Sequence, residues 1–165
     1  LESCSCAVSI WIFLACRKRI HSSDVQATVG TVKIAPILLR IDLDALTRSL
    51  NNLCPQIDHI CLVDNSTTSC ESVIASRANV HYIPLYQNTG IAAAQNRGIE
   101  YLRQEGCHYV LFCDQDSISM PGLIDSLKAA HHALTQAGYP VAIVGAEPIN
   151  PKTGKSYYNK PGNNI

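Results

Sequence analysis

Short apolar runs alternate with helical periodicity through most of this chain, and this alternation constrains the fold more than any other feature. The runs 57–63, 80–85, 108–113 and 141–144 are typical of buried strands. Between them, apolar side chains recur at helical spacing, most clearly from Leu43 to Leu53. Four successive β–α units predict an α/β fold with a mainly parallel sheet and helices on both faces.

The same periodicity predicts where the helices lie. One helix follows Asp42, a short one covers about residues 69–78, and a third follows Gly90. The last helix has Pro121 in its first turn. Its inward stripe consists of Leu123, Leu127, His131 and Leu134.

The first part of the chain departs from this pattern. Pro36 interrupts the apolar run 34–41, and because proline donates no backbone hydrogen bond, we expect an edge strand or a damaged one. Residues 1–32 show no convincing periodicity, so we leave them unassigned and place the domain at 33–165. Their apolar run 4–16 is shorter than the roughly 20 residues of a membrane-spanning helix. The segment is either an extension that touches a membrane or, as we favour, a non-native or disordered one.

Composition limits the function classes. The chain has 165 residues, which suits one domain with a real core. Its 13 basic and 13 acidic residues cancel, so nothing indicates a nucleic-acid partner. The 8 cysteines show no zinc-ribbon spacing, and we expect reduced thiols in a cytosolic protein. A disulfide framework is the alternative.

Polar clusters follow three of the predicted strands, at 64–66, 87–90 and 114–116. In parallel sheets the carboxyl ends of the strands share one edge, and ligands bind there. Asp114 and Asp116 would point the same way if the backbone stays extended. Such a carboxylate pair suits Mg²⁺ or Mn²⁺ bound together with substrate phosphates, and a solvated turn is the alternative. Glycine-rich dinucleotide and P-loop motifs are absent from the sequence, which disfavours those enzyme classes.

Three stretches together resemble a known family of enzymes. They are 63–66 (Val-Asp-Asn-Ser), 88–99 (Asn-Thr-Gly-Ile-Ala-Ala-Ala-Gln-Asn-Arg-Gly-Ile) and 112–117 (Phe-Cys-Asp-Gln-Asp-Ser). In this order, over roughly residues 42–158, they are similar to inverting family 2 glycosyltransferases with the GT-A fold. The second and third stretches particularly resemble bacterial rhamnosyltransferases of O-antigen and exopolysaccharide synthesis.

The resemblance implies a GT-A, Rossmann-like domain that binds a nucleotide-sugar and is incomplete here. The implied reaction is a metal-assisted, inverting transfer from a donor, with dTDP-rhamnose suspected, to a saccharide or lipid-linked acceptor of cell-surface polysaccharide synthesis. The implied cofactor is Mg²⁺ or Mn²⁺. We expect a cytoplasmic protein, and attachment to the inner face of the plasma membrane stays open, as do the acceptor, the linkage and the oligomeric state.

The resemblance also implies roles for residues near the nucleotide. Asp64 would contact the nucleobase. Asn88, Gly90 and Asn96 would shape the wall near the ribose and diphosphate, with Arg97 a weaker candidate. On the residues alone, the two asparagines could equally cap turns or helices, and an arginine on a helix is more often solvated.

At the third cluster, the resemblance places Asp114 near the ribose or sugar and makes Asp116 the main metal ligand, with Asp114 as a second one. The general base of the family is expected beyond Ile165. The family's first strand ends in a Thr-Tyr-Asn-Pro-like stretch, which 36–41 replaces here, as a local frameshift would produce. Two alternatives remain: a catalytically incomplete nucleotide-binding fragment, and a nucleotidyltransferase of similar fold, for which Arg40 is the only basic residue near the first strand.

Overall fold

The computed structural model describes residues 11–13, 33–34, 37–38, 43–107, 109–113, 118–150 and 152–157. Its strands are β1 (Trp11–Phe13), β2 (Lys33–Ile34), β3 (Ile37–Leu38), β4 (His59–Asp64), β5 (Val80–Pro84), β6 (Val110–Phe112) and β7 (Ile143–Gly145). Its helices are α1 (Leu43–Leu53), α2 (Glu71–Ile74), α3 (Ile91–Gln104) and α4 (Leu123–Gln136), and a 3₁₀ turn, Cys54–Gln56, follows α1. From α1 onward, the helices and strands occur in the order that the sequence predicts.

Most neighbouring strands of the sheet are parallel. Strand β4 pairs with β5 along one edge and with both β2 and β3 along the other, and β2 also pairs with β6. Strand β1 is antiparallel to both of its neighbours, β6 and β7. The prediction of a mainly parallel sheet is confirmed, and the resulting strand order brings the carboxyl ends of β4 and β5 side by side.

The segment before Pro36 lies inside the sheet, so the expectation of an edge strand is wrong there. Strand β2 pairs with both β4 and β6, and β3, after Pro36, pairs with β4. From the pair Ile34–Ile60 to the pair Ile37–Val63 both chains advance by three residues, so the register continues across the interruption. Residues 35 and 36 lie outside the described part of the chain, so the expectation of a damaged strand at Pro36 stays a prediction.

Strand β1 comes from the segment 1–32, which the sequence left unassigned. Its three residues pair with β6 and β7 and so join the last strand of the chain to the sheet. The division of the chain at residue 33 stays a prediction. Within the residues that the structure describes, none of the helices is long and apolar enough to cross a membrane.

Helices cover both faces of the sheet, as predicted, and a separate core cluster lies on each face. Strand β4 alternates between them: Leu62 faces the side of α1, α2 and α4, whereas Cys61 faces the side of α3. The first cluster includes Leu46, Leu50, Leu53, Ile60, Leu62, Ile74, Leu111, Ile124 and Leu127. The second consists of Cys61, Val63, Ala94, Leu102, Val110 and Phe112. Burial on both faces explains why β4 is a nearly continuous apolar run.

Helix α4 differs in detail from its prediction. Leu127 is buried, but Leu134 is 41% exposed, and Ile124 is buried in its place. Pro121 lies in the turn that precedes the helix and not in its first turn. The predicted inward stripe does not extend to the C-terminal end of the helix, because the residues of α4 that reach the core cluster come from its first two turns.

Helix α1 allows a matched test of the core. Leu50 is fully buried and Leu43, in the same helix, is 41% exposed. We expect Leu50→Ala to lower the free energy of unfolding by about 2–5 kcal/mol, because it leaves a cavity against the sheet. Leu43→Ala should lower it by less than about 1 kcal/mol. Urea denaturation measures both, and equal losses would contradict the assigned face of the helix.

Candidate functional site

The polar clusters after β4 and β5 meet at one edge of the sheet. The backbone N–H of Leu85 donates to the carbonyl oxygen of Asp64 at 2.9 Å, which joins the ends of the two strands directly. The third cluster, with Asp114 and Asp116, follows β6 and lies outside the described residues. The described part of the candidate site is therefore built by β4, β5 and the start of α3.

Asp64, the last residue of β4, is buried with 1% of its surface exposed. Its Oδ1 accepts hydrogen bonds from the backbone N–H of Ser66 at 3.0 Å and from the Ser66 hydroxyl. Its Oδ2 accepts from the hydroxyl of Tyr82 at 2.6 Å. Protein donors thus occupy both carboxyl oxygens, which satisfies a polar group whose burial would otherwise be costly.

The hydroxyl of Tyr82 links three segments of the chain. It donates to Asp64, accepts from the backbone N–H of Cys70 at 3.1 Å, and lies 3.1 Å from the Ser69 hydroxyl. Burial raises the pKa of Tyr82, and its bond to Asp64 raises that pKa further. Burial also raises the pKa of the Cys70 thiol to about 12, with a smaller contribution from Asp64. The Tyr82 hydroxyl and the Cys70 thiol beside Asp64 therefore stay protonated and neutral at ordinary pH.

Asn65, the residue after β4, is fully buried and serves the opposite face of the sheet. Its Oδ1 accepts from the backbone N–H and from the hydroxyl of Thr89, both at 2.8 Å. Its Nδ2 donates to Oδ1 of Asn88 at 3.2 Å. The single amide therefore ties the end of β4 to the segment that opens α3.

Asn88 and Gly90 complete this connection. The backbone N–H of Gly90 donates to Oδ1 of Asn88 at 3.0 Å. Gly90 has φ +83°, and a Cβ built there would meet nothing within 4 Å. The backbone conformation, and not lack of space, is what favours glycine here. Because glycine has no side chain, the first N–H groups of α3 receive no side-chain cap.

Asn96 and Arg97 lie farther along α3, and both are exposed. Arg97 forms a surface ion pair with Glu100, with 3.9 Å between Nη1 and Oε2. Within the described residues, the hydrogen bonds that join Asp64, Asn65 and Asn88 do not extend to either side chain. Their assignment to the nucleotide wall stays a prediction, and the surroundings of Arg97 are those of a solvated helix residue.

The described residues contain no group of three or more His, Cys, Asp or Glu side chains placed to hold a metal ion. Asp64 is a poor ligand in this arrangement, because both of its oxygens accept from protein donors. The assignment of a metal site to Asp114 and Asp116 stays a prediction, because both residues lie outside the described part of the chain. Their carboxylate oxygens are the donors that Mg²⁺ and Mn²⁺ prefer.

The sequence indicated the clusters at 64–66 and 87–90 but missed Tyr82. A tyrosine that is half-buried in a strand normally needs a partner for its hydroxyl, and this signal was present in the apolar run. The partner could not be identified from the pattern, because Asp64 belongs to another strand. The register pairs Tyr82 with Leu62, and Asp64 lies two residues after Leu62 in the same strand. The side chains of Asp64 and Tyr82 therefore lie on one face of the sheet.

The bond between Tyr82 and Asp64 can be tested by removing one hydroxyl. Tyr82→Phe deprives Oδ2 of Asp64 of its donor and the Cys70 N–H of its acceptor, and we expect a loss of about 1–3 kcal/mol in the free energy of unfolding. Tyr139→Phe alters an exposed tyrosine and is the control. If urea denaturation gives the same stability for both variants, the hydroxyl of Tyr82 does not support the network.

The raised pKa of Cys70 predicts a decline of stability in alkali. The thiol of the unfolded chain loses its proton above about pH 9, its ordinary pKa, whereas the folded chain keeps that proton until about pH 12. The stability that the buried Cys70 thiol contributes is therefore fully present below pH 9, and it is lost as the pH rises toward 12. Unfolding free energies measured between pH 8 and about 11 should decline less steeply for Cys70→Ala than for Cys54→Ala. Equal slopes would contradict the burial of this thiol.

Comparison with known proteins adds independent information. Residues 36–161 match the family model described as glycosyl transferase family 2. Over 77 residues the chain is 38% identical to the dTDP-rhamnosyl transferase RfbF of Shigella flexneri, and this match covers 46% of the chain and 26% of that relative. The matched region thus spans about a quarter of the relative's length. No solved structure matches the chain significantly.

The family match covers the parallel strands β3 to β6 and the helices packed on both of their faces. It also covers each of the three polar clusters at the strand ends. The resemblance first seen in the motifs is confirmed. The chain belongs to glycosyl transferase family 2 and has a Rossmann-like α/β domain of the GT-A type.

Proposed function

We propose that this chain provides the donor-binding part of a rhamnosyltransferase-like glycosyltransferase, which takes a sugar from a nucleotide-sugar, with dTDP-rhamnose as the donor. The acceptor is a saccharide or a lipid-linked saccharide of cell-surface polysaccharide synthesis, of which the O-antigen is one kind. Membership of the family supports glycosyl transfer, and the partial likeness to the dTDP-rhamnosyl transferase RfbF supports the choice of donor.

The observation that carries the proposal is the hydrogen-bonded edge formed by the ends of β4 and β5. Asp64, Asn65 and Asn88 are held there by neighbouring protein groups, in the place where open α/β sheets bind their ligands. A buried polar network at this edge is costly to build unless every group is paired, and here the groups are paired. The pairing of these buried groups supports a site whose conformation is fixed before a ligand binds.

The spacing of the strands suits a ligand of the size of a nucleoside diphosphate. Strand β2 pairs with β4 on one side and with β6 on the other, so β4 and β6 are two strand spacings apart. Two spacings amount to about 10 Å. In this proposal the base lies near the end of β4 and the diphosphate lies toward the residues after β6.

In this proposal a hydroxyl of the acceptor attacks the anomeric carbon of the sugar. The bond from that carbon to the acceptor oxygen forms as its bond to the nucleoside diphosphate breaks, and a general base takes the proton of the hydroxyl. Asp114 and Asp116 would hold Mg²⁺ or Mn²⁺, which, when bound, neutralises charge on the departing diphosphate. The Asp64 network keeps the end of β4 in one conformation, and Asn88 borders the ligand. We assign the general base to none of the described residues, because the oxygens of Asp64, the buried acid of this edge, already accept from protein donors.

The place of action follows from the proposed acceptor. Nucleotide-sugars are used on the cytoplasmic side, so the protein would act in the cytoplasm, and a lipid-linked acceptor would bring it to the inner face of the plasma membrane. A peripheral contact is sufficient for such an encounter. Fractionation of cells into soluble and membrane pools tests this part of the proposal directly.

Ligand-induced stabilisation tests the proposed function. We expect thymidine diphosphate with Mn²⁺ to stabilise the chain against thermal unfolding, by about 2.7 kcal/mol at a hundredfold excess over the dissociation constant. Asp116→Ala should abolish the metal-dependent part, because it removes a ligand of the cation. Asp125→Ala, an exposed acid on α4, is the matched control.

Two results would count against the proposal. Failure of every nucleoside diphosphate to stabilise the wild-type chain in the presence of Mg²⁺ or Mn²⁺ would argue against donor binding. Full metal-dependent stabilisation of Asp116→Ala would remove the metal assignment while leaving nucleotide binding in place. Guanosine and uridine diphosphates, tested in parallel, show whether thymidine is preferred.

A further inference from the structure

Two backbone N–H groups determine how the side-chain amides of Asn65 and Asn88 are turned. A backbone N–H can only donate, so the Asn65 atom that the Thr89 N–H contacts at 2.8 Å is its oxygen. The amide nitrogen of Asn65 must then face Asn88. The N–H of Gly90 likewise identifies the Asn88 atom that it contacts at 3.0 Å as an oxygen. If either side-chain amide were turned by 180°, its NH₂ group would face a backbone N–H group, and two hydrogen-bond donors would oppose each other.

The side-chain oxygen of Asn88 is therefore fully used in hydrogen bonds within the protein. It accepts from Gly90 and from Asn65, which uses both of its lone-pair directions. The Nδ2 group of Asn88 lies on the other side of the carboxamide, and no described residue accepts from it. Asn88 is exposed, whereas Asn65 is fully buried. The outward-facing part of this pair is thus an N–H donor in a fixed orientation.

We propose that Asn65 is a positioning residue for donor binding: it holds the carboxamide of Asn88 so that an N–H of its Nδ2 group donates to an acceptor oxygen of the nucleotide. This inference rests on the proposed function. The ligand atom is an oxygen of the diphosphate or of the ribose, which share the ability to accept a hydrogen bond. A cation is not expected at this position, because the oxygen of Asn88 faces the protein.

The choice of asparagine at position 65 follows from this role. Aspartate would keep an acceptor for Thr89 but would present an oxygen to the oxygen of Asn88. Asn88 would then either keep its oxygen against that carboxylate, which repels it, or turn and set its NH₂ group against the N–H of Gly90. In either case its outward N–H donor loses its fixed orientation. Asn65→Asp should therefore weaken binding of thymidine diphosphate with Mn²⁺ by about 10-fold or more, as expected for the loss of a hydrogen bond to a charged group.

A matched variant separates positioning from stability. Thr89→Val removes the hydroxyl that donates to Asn65 but keeps the backbone N–H that sets the direction of both amides. It should lower the free energy of unfolding yet leave the affinity for thymidine diphosphate within about 2-fold of wild type, well inside the 10-fold expected for a lost charged contact. If Thr89→Val weakens binding as much as Asn65→Asp, loosening of the loop explains the effect and the inference fails.

Asn88→Asp tests the outward atom directly. Its inner oxygen can still accept from Gly90 and Asn65, so the fold should be kept, while the outer N–H donors become a negative oxygen. Isothermal titration calorimetry should show thymidine diphosphate binding weakened by about 10- to 100-fold. Thymidine, measured beside it, distinguishes the two sources of the acceptor: an effect limited to the diphosphate assigns the contact to phosphate, and an equal effect on both assigns it to the ribose. Unchanged affinity for both ligands would overturn the role of Asn88.

A measurement without ligand keeps this inference distinct from the proposed function. In NMR spectra of the wild-type chain, the side-chain N–H₂ protons of Asn65 should exchange slowly with solvent and those of Asn88 rapidly. Faster exchange at Asn65 than at Asn88 would overturn the assigned orientation. If the wild-type chain binds no nucleoside diphosphate, the proposed function and the ligand part of this inference both fail, and the exchange rates still decide the orientation. If it binds but Asn65→Asp binds equally well, only this inference fails.

Discussion

Two polar side chains are buried at the end of the central strand β4, and the need to pair them organises the functional edge. Asp64 and Asn65 are adjacent in the chain, so they point to opposite faces of the sheet. Asp64 faces the side of α2, where Tyr82 binds it, and Asn65 faces the side of α3, where Thr89 binds it. A carboxyl and an amide in this position would be strongly destabilising if unpaired. Their partners therefore connect the loops on both faces to one strand.

This arrangement depends on the burial of β4 on both of its faces. Its apolar residues alternate between the two core clusters, and the strand has paired neighbours along both edges. A strand that is held in this way has little freedom at its end, so the side chains that it carries are placed with small error. The rigid sheet supplies the positions, and the loops that attach to Asp64 and Asn65 supply the groups that border a ligand.

Much of this could be predicted from local patterns, and the remainder depends on neighbours that local patterns do not contain. The leucine spacing of α1 predicted the helix, because Leu46, Leu50 and Leu53 pack in the core, although Leu43 at its start is exposed. Pro36 was interpreted as the mark of an edge strand or a damaged one. A rule about one residue cannot show which strands lie on either side of it. The partner of Asp64 was not predictable either: Tyr82 reaches it only through the register of β4 with β5. The acids after β6 remain a prediction, because they lie outside the described residues.

The unusual stretch around Pro36 falls on the strand that separates the two halves of the proposed site. Leu38 of β3 pairs with Asp64, so β3 ends beside the end of β4. The register is kept across Pro36, since Ile34 and Ile37 pair with residues of β4 that are equally spaced. The departure from the family pattern therefore leaves the pairing of β2 and β3 with β4 intact.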